Sequence, residues 1–301
     1  MIVGAGLAGL IAGHIFPGPI QEARPQPGAM HKALLRFRTQ EVSRVTGIDF
    51  NPVTVRKGIW SFDRAGFVEP GIRLANQYSA KCLGGILANN RSIWNLDPVT
   101  RFIAPEDLYE RLLENLGDRV MWDCPFNFHI KPEDQQVVST APLDIVLGQL
   151  GIEPPDLVFN KAPIDVHRFR VPDCDLYQTV YYPEPDYPVY RASITKDLLI
   201  VETTNSDGFV GMDVVCHSFG IDQRDLNQLD HTGQRYGKIA DVDDFSRKQL
   251  MVRLTNEHNI FSLGRFATWR NILLDDVVND ALVIKKLMKA TAYDRQLHLH
   301  K

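Results

Sequence analysis

Three glycines near the start of the chain carry its strongest chemical signal. Ile2-Val3-Gly4-Ala5-Gly6-Leu7-Ala8-Gly9 is a G-x-G-x-x-G directly behind a short apolar strand, and Glu22 follows 13 positions after Gly9. This is the spacing of a dinucleotide-binding βαβ unit. Gly4 serves the tight turn, Gly6 admits a pyrophosphate to the backbone, and Gly9 lets helix pack on strand. The helix that starts at Leu7 and Ala8 offers free N–H groups and a partial positive charge to phosphate oxygens. Glu22, with Ala23 and Arg24 behind it, ends a second strand, where a carboxylate accepts hydrogen bonds from ribose hydroxyls. These residues point to a bound adenine dinucleotide.

Other chemistry-bearing residues are weaker signals. Tyr182, Tyr187, Tyr190 and Arg191 fall within one Pro-rich segment. Aromatic rings there can line a planar ligand, and Arg191 can fork onto a carboxylate or phosphate; the competing reading is a strand edge packed on the core. His31, close behind the second strand with Lys32, Arg36 and Arg38, can relay a proton near neutral pH, or it is a surface histidine in a polar loop. His129, His217 and His258 have no partner spacing and read as structural. Arg235 and Lys238 sit in a polar stretch, Gln234–Ile239, read as a compact turn within reach of phosphate. No G-x-S-x-G, H-E-x-x-H or P-loop lysine motif occurs. No metal site is expected. Cys82, Cys124, Cys174 and Cys216 are far apart, with no C-x-x-C. Scattered thiols fit a reducing cytoplasm, the expected location.

Net charge is −4, which excludes polyanion binding by bulk charge. The stretch from Lys32 to Arg73 nevertheless holds eight basic residues against four acidic ones. It reads as a solvated face, or as a rim for a phosphorylated or nucleic-acid substrate. No segment has the length and apolarity of a membrane span. The N-terminal apolar run lacks a basic leader, so it is read as strand, turn and helix rather than a signal peptide.

The elements that must position these residues follow from periodicity. Strands are expected at 2–4 and 20–23, around a helix from Leu7 to Phe16 that stops at Pro17-Gly18-Pro19. Helices are expected over Leu74–Leu87, Pro105–Leu116 and Leu274–Lys289. Strands are expected at 119–122, 136–140, 165–170, 178–182, 198–202, 208–215 and 259–263, with 34–39 a weaker one.

Three further segments carry a family resemblance. Gln136-Val137-Val138-Ser139-Thr140-Ala141-Pro142 resembles the V-I-S-T-x-P strand of the flavin amine oxidase and UDP-galactopyranose mutase superfamily. Arg119-Val120-Met121-Trp122 is similar to the strand that touches adenine there. Ile260-Phe261-Ser262-Leu263-Gly264-Arg265-Phe266-Ala267-Thr268-Trp269, followed by Asp275-Asp276-Val277, resembles the C-terminal flavin motif of that superfamily. Tyr182–Arg191 is similar to a segment of its mutase-like members. The chain departs from the pattern after Glu22, where Pro25, Pro27 and Gly28 replace a glycine pair.

The resemblance implies FAD as cofactor. An extended FAD needs a second contact region far from the fingerprint, and a helix starting near Leu274 would aim its positive end at the flavin. It implies cofactor contacts at Gly4, Gly6, Leu7, Ala8, Gly9, Glu22, Ala23, Arg24, Met121, Thr140, Ala141, Gly264, Arg265, Trp269, Asp276 and Val277, and catalytic roles for Tyr182, Tyr190, Arg191 and His31. The expected fold class is α/β, a Rossmann-like FAD-binding domain of the glutathione-reductase type with an inserted, smaller α+β substrate domain. Residues 1–40, 100–150 and 237–301 would form the former, and 41–99 and 151–236 the latter. The expected activity is an oxidoreductase moving hydride from a substrate C–H beside an amine to flavin N5, on a small-molecule or nucleotide-containing substrate. The alternatives are a mutase-like nucleotide-sugar isomerase, and an oxidase or lyase acting on an amino-acid-modified nucleotide or viral DNA base.

Overall fold

β1 (Ile2–Val3) is the middle strand of a parallel five-stranded sheet. The computed structural model describes residues 1–27, 35–87, 93–154, 157–204, 211–240 and 242–290. On one side β1 pairs with β2 (Ile20–Gln21), and β2 with β7 (Val120–Met121); on the other it pairs with β8 (Val137–Ser139), and β8 with β14 (Ile260–Ser262). Alternation sorts the side chains. Ile2, Val138 and Phe261 face a cluster with Leu7, Leu10 and Ile11 of α1 (Leu7–Ile15), and with α2 (Glu41–Thr46), α4 (Leu108–Leu116) and α8 (Leu274–Leu287). Val3, Val137 and Ile260 face the opposite cluster, with α5 (Leu143–Leu150) and α7 (Asp244–His258). Helices on both faces are what a parallel sheet requires, since its strands are apolar on both sides. Leu10 and Ile11 are fully buried, each contributing about 2 kcal/mol by burial.

The second sheet has nine strands, in the order β13-β9-β12-β11-β10-β4-β6-β3, with β5 (Gly66–Val68) hairpinned onto β4. It is antiparallel except where β4 (Asn51–Ser61) meets β10 (Leu176–Tyr181). The first half of β4 pairs with β6 (Val99–Ile103), which carries β3 (Arg36–Phe37). The rest is β9 (Lys161–Arg170), β11 (Val189–Lys196), β12 (Leu198–Thr203) and β13 (Asn227–Ile239). α6 (Met212–Phe219) covers one face and α3 (Ile72–Leu83) the other.

Several sequence expectations are corrected. Of the strand expected at 208–215, the described part is the start of α6, whose buried Met212, Val215 and Cys216 keep helical spacing between Gly211 and a left-handed Gly220. Gln234–Ile239 is no turn but the end of the long strand β13, where a register shift between Gln234 and Lys238 marks an irregularity. α7 was not anticipated. Its apolar stripe is thin, yet the Asp243 carboxylate caps it by accepting from the Ser246 N–H at 2.8 Å, and Asn259 ends it in the left-handed conformation. Among the described residues no helix is long and apolar enough to cross a membrane.

Candidate functional site

The glycine turn is built as its spacing requires. Gly4 has φ of +97°, and a Cβ there would meet Thr140 Oγ1 at 2.4 Å. A Cβ on Gly9 would lie 1.8 Å from the Gly4 carbonyl oxygen, so helix and strand touch through backbone. Gly6 is the opposite case, with no atom within 4 Å of an added Cβ. It caps α1 in extended conformation, no side chain accepts from the first turn, and no acidic residue stands in it. The free N–H groups of α1 therefore open onto space, the arrangement that receives a pyrophosphate.

Glu22 closes one side. Its buried carboxylate accepts from the Ala5 N–H at 2.7 Å and from Arg24 through the backbone N–H (3.1 Å), Nε (3.0 Å) and Nη2 (2.9 Å). Burial alone would raise its pKa, but the Arg24 bonds and the Ala5 N–H outweigh that and hold it below the usual range. A carboxylate has about four acceptor positions, so ribose hydroxyls reach Glu22 only by displacing part of Arg24. The Tyr109 hydroxyl donates to the Ala5 carbonyl at 3.1 Å and so ties α4 to the turn. The Glu22 N–H donates to the Met121 carbonyl, and both Ala23 and Met121 are exposed beside it.

The far end of the chain closes the other side. Thr140 donates its N–H and its Oγ1 to the Val3 carbonyl, each at 2.9 Å. The Leu263 N–H donates to the Ser139 carbonyl, and Gly264, at φ +93°, comes so near that a Cβ would lie 2.9 Å from Ala8 Cβ. Arg265 Nη2 reaches the Gly237 carbonyl at 3.3 Å. Other residues of this group are placed in protein contacts. Trp269 is fully buried, its indole N–H on the Ala240 carbonyl and its ring edge-on to Phe159; Ala141 packs in the same cluster. At the start of α8, Asp275 accepts from the N–H groups of Arg38 and Thr39, and Asp276 from Leu273 N–H and Arg38 Nη2, while Val277 is buried against α1.

The expected catalytic group is divided. Tyr182 lies on the α6 face, fully buried, its hydroxyl 2.6 Å from Ser218 Oγ. Tyr187 shares that face. Tyr190 lies on the α3 face. A register shift between Val189 and Arg191 turns two successive side chains the same way, as a bulge does. Tyr190 and Arg191 thereby meet one carboxylate, Glu202, with the Tyr190 hydroxyl donating at 2.8 Å and Arg191 forking onto it, Nη2 at 2.7 Å. Burial, with Glu202 beside it, pushes the Tyr190 phenol well above its ordinary pKa. His31 lies outside the described residues.

Sequence reasoning missed Glu202 and Lys81. Glu202 was visible as a lone acid in the apolar run Leu198–Thr203. Lys81 gave no signal. Its ammonium donates to the carbonyls of Tyr182, Glu184 and Val189 at 2.6–2.8 Å, and burial pushes its pKa down to about 7. An open cavity of about 840 Å³ runs along β4, β5 and α3, with Arg56, Lys57, Arg64 and Arg73 in its lining, and shares no residue with the glycine turn.

No family model matches the chain, and no curated protein matches it. Solved structures do. The substrate-free form of the rebeccamycin biosynthetic enzyme RebC aligns with a TM-score of 0.54 at 10% identity, over 93% of this chain and 60% of that one. A ternary complex of aklavinone-11 hydroxylase with FAD and aklavinone gives 0.51 at 13% identity, over 95% and 61%. The flavin-dependent monooxygenase PieE in complex with FAD and substrate gives 0.52 at 15% identity, over 87% and 52%. This chain spans 52–61% of the length of those three. At these identities the likeness is one of fold: the chain has a mixed α/β architecture shared with these three solved structures.

Proposed function

We propose that the chain binds FAD and belongs to a flavin-dependent oxidoreductase acting on a small molecule. One observation carries this reading: the glycine turn is open only at Gly6, between buried Glu22 and a Gly264 turn that closes on Ala8. Two neighbours of the same fold are complexes with FAD. In this reading segments 1–40, 100–150 and 237–301 form a glutathione-reductase-type cofactor domain and 41–99 and 151–236 the substrate domain, except that β3 and β6 pair within the nine-stranded sheet and α2 packs with α1 and α8. Bound FAD would supply the two-electron redox chemistry. The chain's residues bind and orient it. Leu7 and Ala8 N–H groups would meet the pyrophosphate, Glu22 and Arg24 the ribose, and Met121 the adenine. Arg265 stands where the turn after β14 meets the end of β13. The neighbours named above are monooxygenase and hydroxylase structures and a biosynthetic enzyme, so amine-side hydride abstraction, sugar isomerisation and base modification draw no support from them.

Flavin uptake tests the proposal. Purified protein should retain visible flavin absorbance after desalting, and Gly6→Val should lose it while far-ultraviolet circular dichroism stays native, because a Cβ there meets no protein atom within 4 Å. A Gly6→Val protein that retains flavin like the wild type would falsify the assignment.

A further inference from the structure

On the α3 face of the large sheet, positive charge outnumbers negative. Arg191 and Lys238 flank one carboxylate, Glu202, and the charge of Arg36 is felt on the Arg191 side of the cluster. Arg36 is satisfied by neutral acceptors, Thr195 Oγ1 at 2.9 Å, Thr179 Oγ1 at 2.7 Å and the carbonyls of Gln178 and Ile194. Arg191 alone forks onto Glu202, through Nε and Nη2. Lys238 Nζ stands 4.3 Å from the centre of the Tyr190 ring. No carboxylate among the described residues pairs directly with Lys238, and none takes the Nη1 of Arg191. Arg101 adds a further positive charge near Arg36, and the neighbours Tyr78, Tyr181 and Cys82 are held protonated by burial.

This cluster adjoins the cofactor cradle. The Gly237 carbonyl takes Arg265 from the turn after β14, and the charge of Arg265 is felt at Lys238. The Arg191 side chain keeps 30% of its surface exposed, and Lys238 is half-buried, so a ligand can reach both. Two cations sharing one carboxylate in a partly desolvated place are unfavourable unless a counter-charge arrives.

We propose that Lys238 and Arg191 form an oxyanion subsite beside the cradle, which holds a carboxylate or phosphate group of the substrate. Calling the occupant a substrate rests on the flavoenzyme reading; the anion itself rests on this cluster. Burial, with Arg191 beside it, pulls the Lys238 ammonium down to about 8, as expected of a cation with no direct counter-ion. A ligand oxyanion would replace that missing partner with charge-assisted hydrogen bonds from Lys238 Nζ and Arg191 Nη1.

Ligand-observed NMR titration with benzoate, phenyl phosphate and benzyl alcohol, at low salt and with and without added FAD, tests it. At least one anion is expected to bind about tenfold more tightly than benzyl alcohol. Lys238→Met should weaken that anion by about tenfold and leave benzyl alcohol unchanged, and Lys238→Arg should restore it. The better of the two anions separates a carboxylate from a phosphate group. Equal binding of benzyl alcohol, or anion binding untouched in a folded Lys238→Met protein, overturns the subsite. Flavin uptake is read separately by visible absorbance. A chain that refuses FAD yet binds benzoate through Lys238 loses the flavoenzyme reading and keeps the subsite; the reverse result loses only the subsite.

Discussion

The two sheets of this protein hold their polar chemistry in different ways. The parallel sheet has strands of two or three residues, and its site is made of backbone: free N–H groups, a glycine turn and one buried carboxylate. The nine-stranded sheet has strands of up to 13 residues, and its polar groups are side chains brought together by register, Arg191 opposite Glu202 and His231 opposite His167. A backbone site is fixed by local sequence. A side-chain site exists only once distant strands are aligned, and a single bulge decides what it contains.

That contrast can be broken by mutation. Glu202→Ala should have the largest effect, costing about 3 kcal/mol, because it strands Arg191 and removes the acceptor of Tyr190. Urea unfolding measures it. Gly6→Val should leave the same curve in place and lose only flavin, and if the two variants behaved alike the sites would not differ in kind.

Lys81 sharpens the comparison through pH. Its folded pKa, about 7, lies below its ordinary 10.5, so the unfolded chain binds more protons between those values. Stability attributable to Lys81 therefore rises with pH from about 7 to 10.5 and is flat below. The difference in unfolding free energy between wild type and Lys81→Met should show that slope. A difference independent of pH would mean that the three carbonyls hold the ammonium charged throughout.

Tyr182→Phe should have the smallest effect, about 1 kcal/mol, since Ser218 Oγ keeps its bond to the Val215 carbonyl. With Tyr182 buried on the α6 face, flavin uptake should not change. A large loss of turnover with unchanged stability would return Tyr182 to the catalytic group.

Legibility in the sequence follows the same division. The turn from Gly4 to Gly9, the place of Glu22 and the approach of the Gly264 turn to it were all readable, because glycine spacing reports on backbone geometry directly. Trp269 and Val277 read as ligand contacts and pack in cores instead, since an apolar residue beside a motif carries no mark of which way it faces. α6 passed for a strand because eight residues with four buried positions fit either period. Lys238 was singled out for phosphate within a supposed turn, while its neighbours Glu202 and Tyr190 come from strands whose pairing no local pattern reveals.

The close approach of Gly264 to Ala8 has a consequence for folding. The glycine turn and the strand that completes its wall, β14 at Ile260–Ser262, are far apart along the chain. Until β14 docks beside β8, the chain displays a helix start with bare donors and no closing wall. Long-range pairing of this kind slows folding. A nucleotide held between these two segments would therefore engage late in folding, as a clamp on parts of the chain that meet only once the parallel sheet is complete.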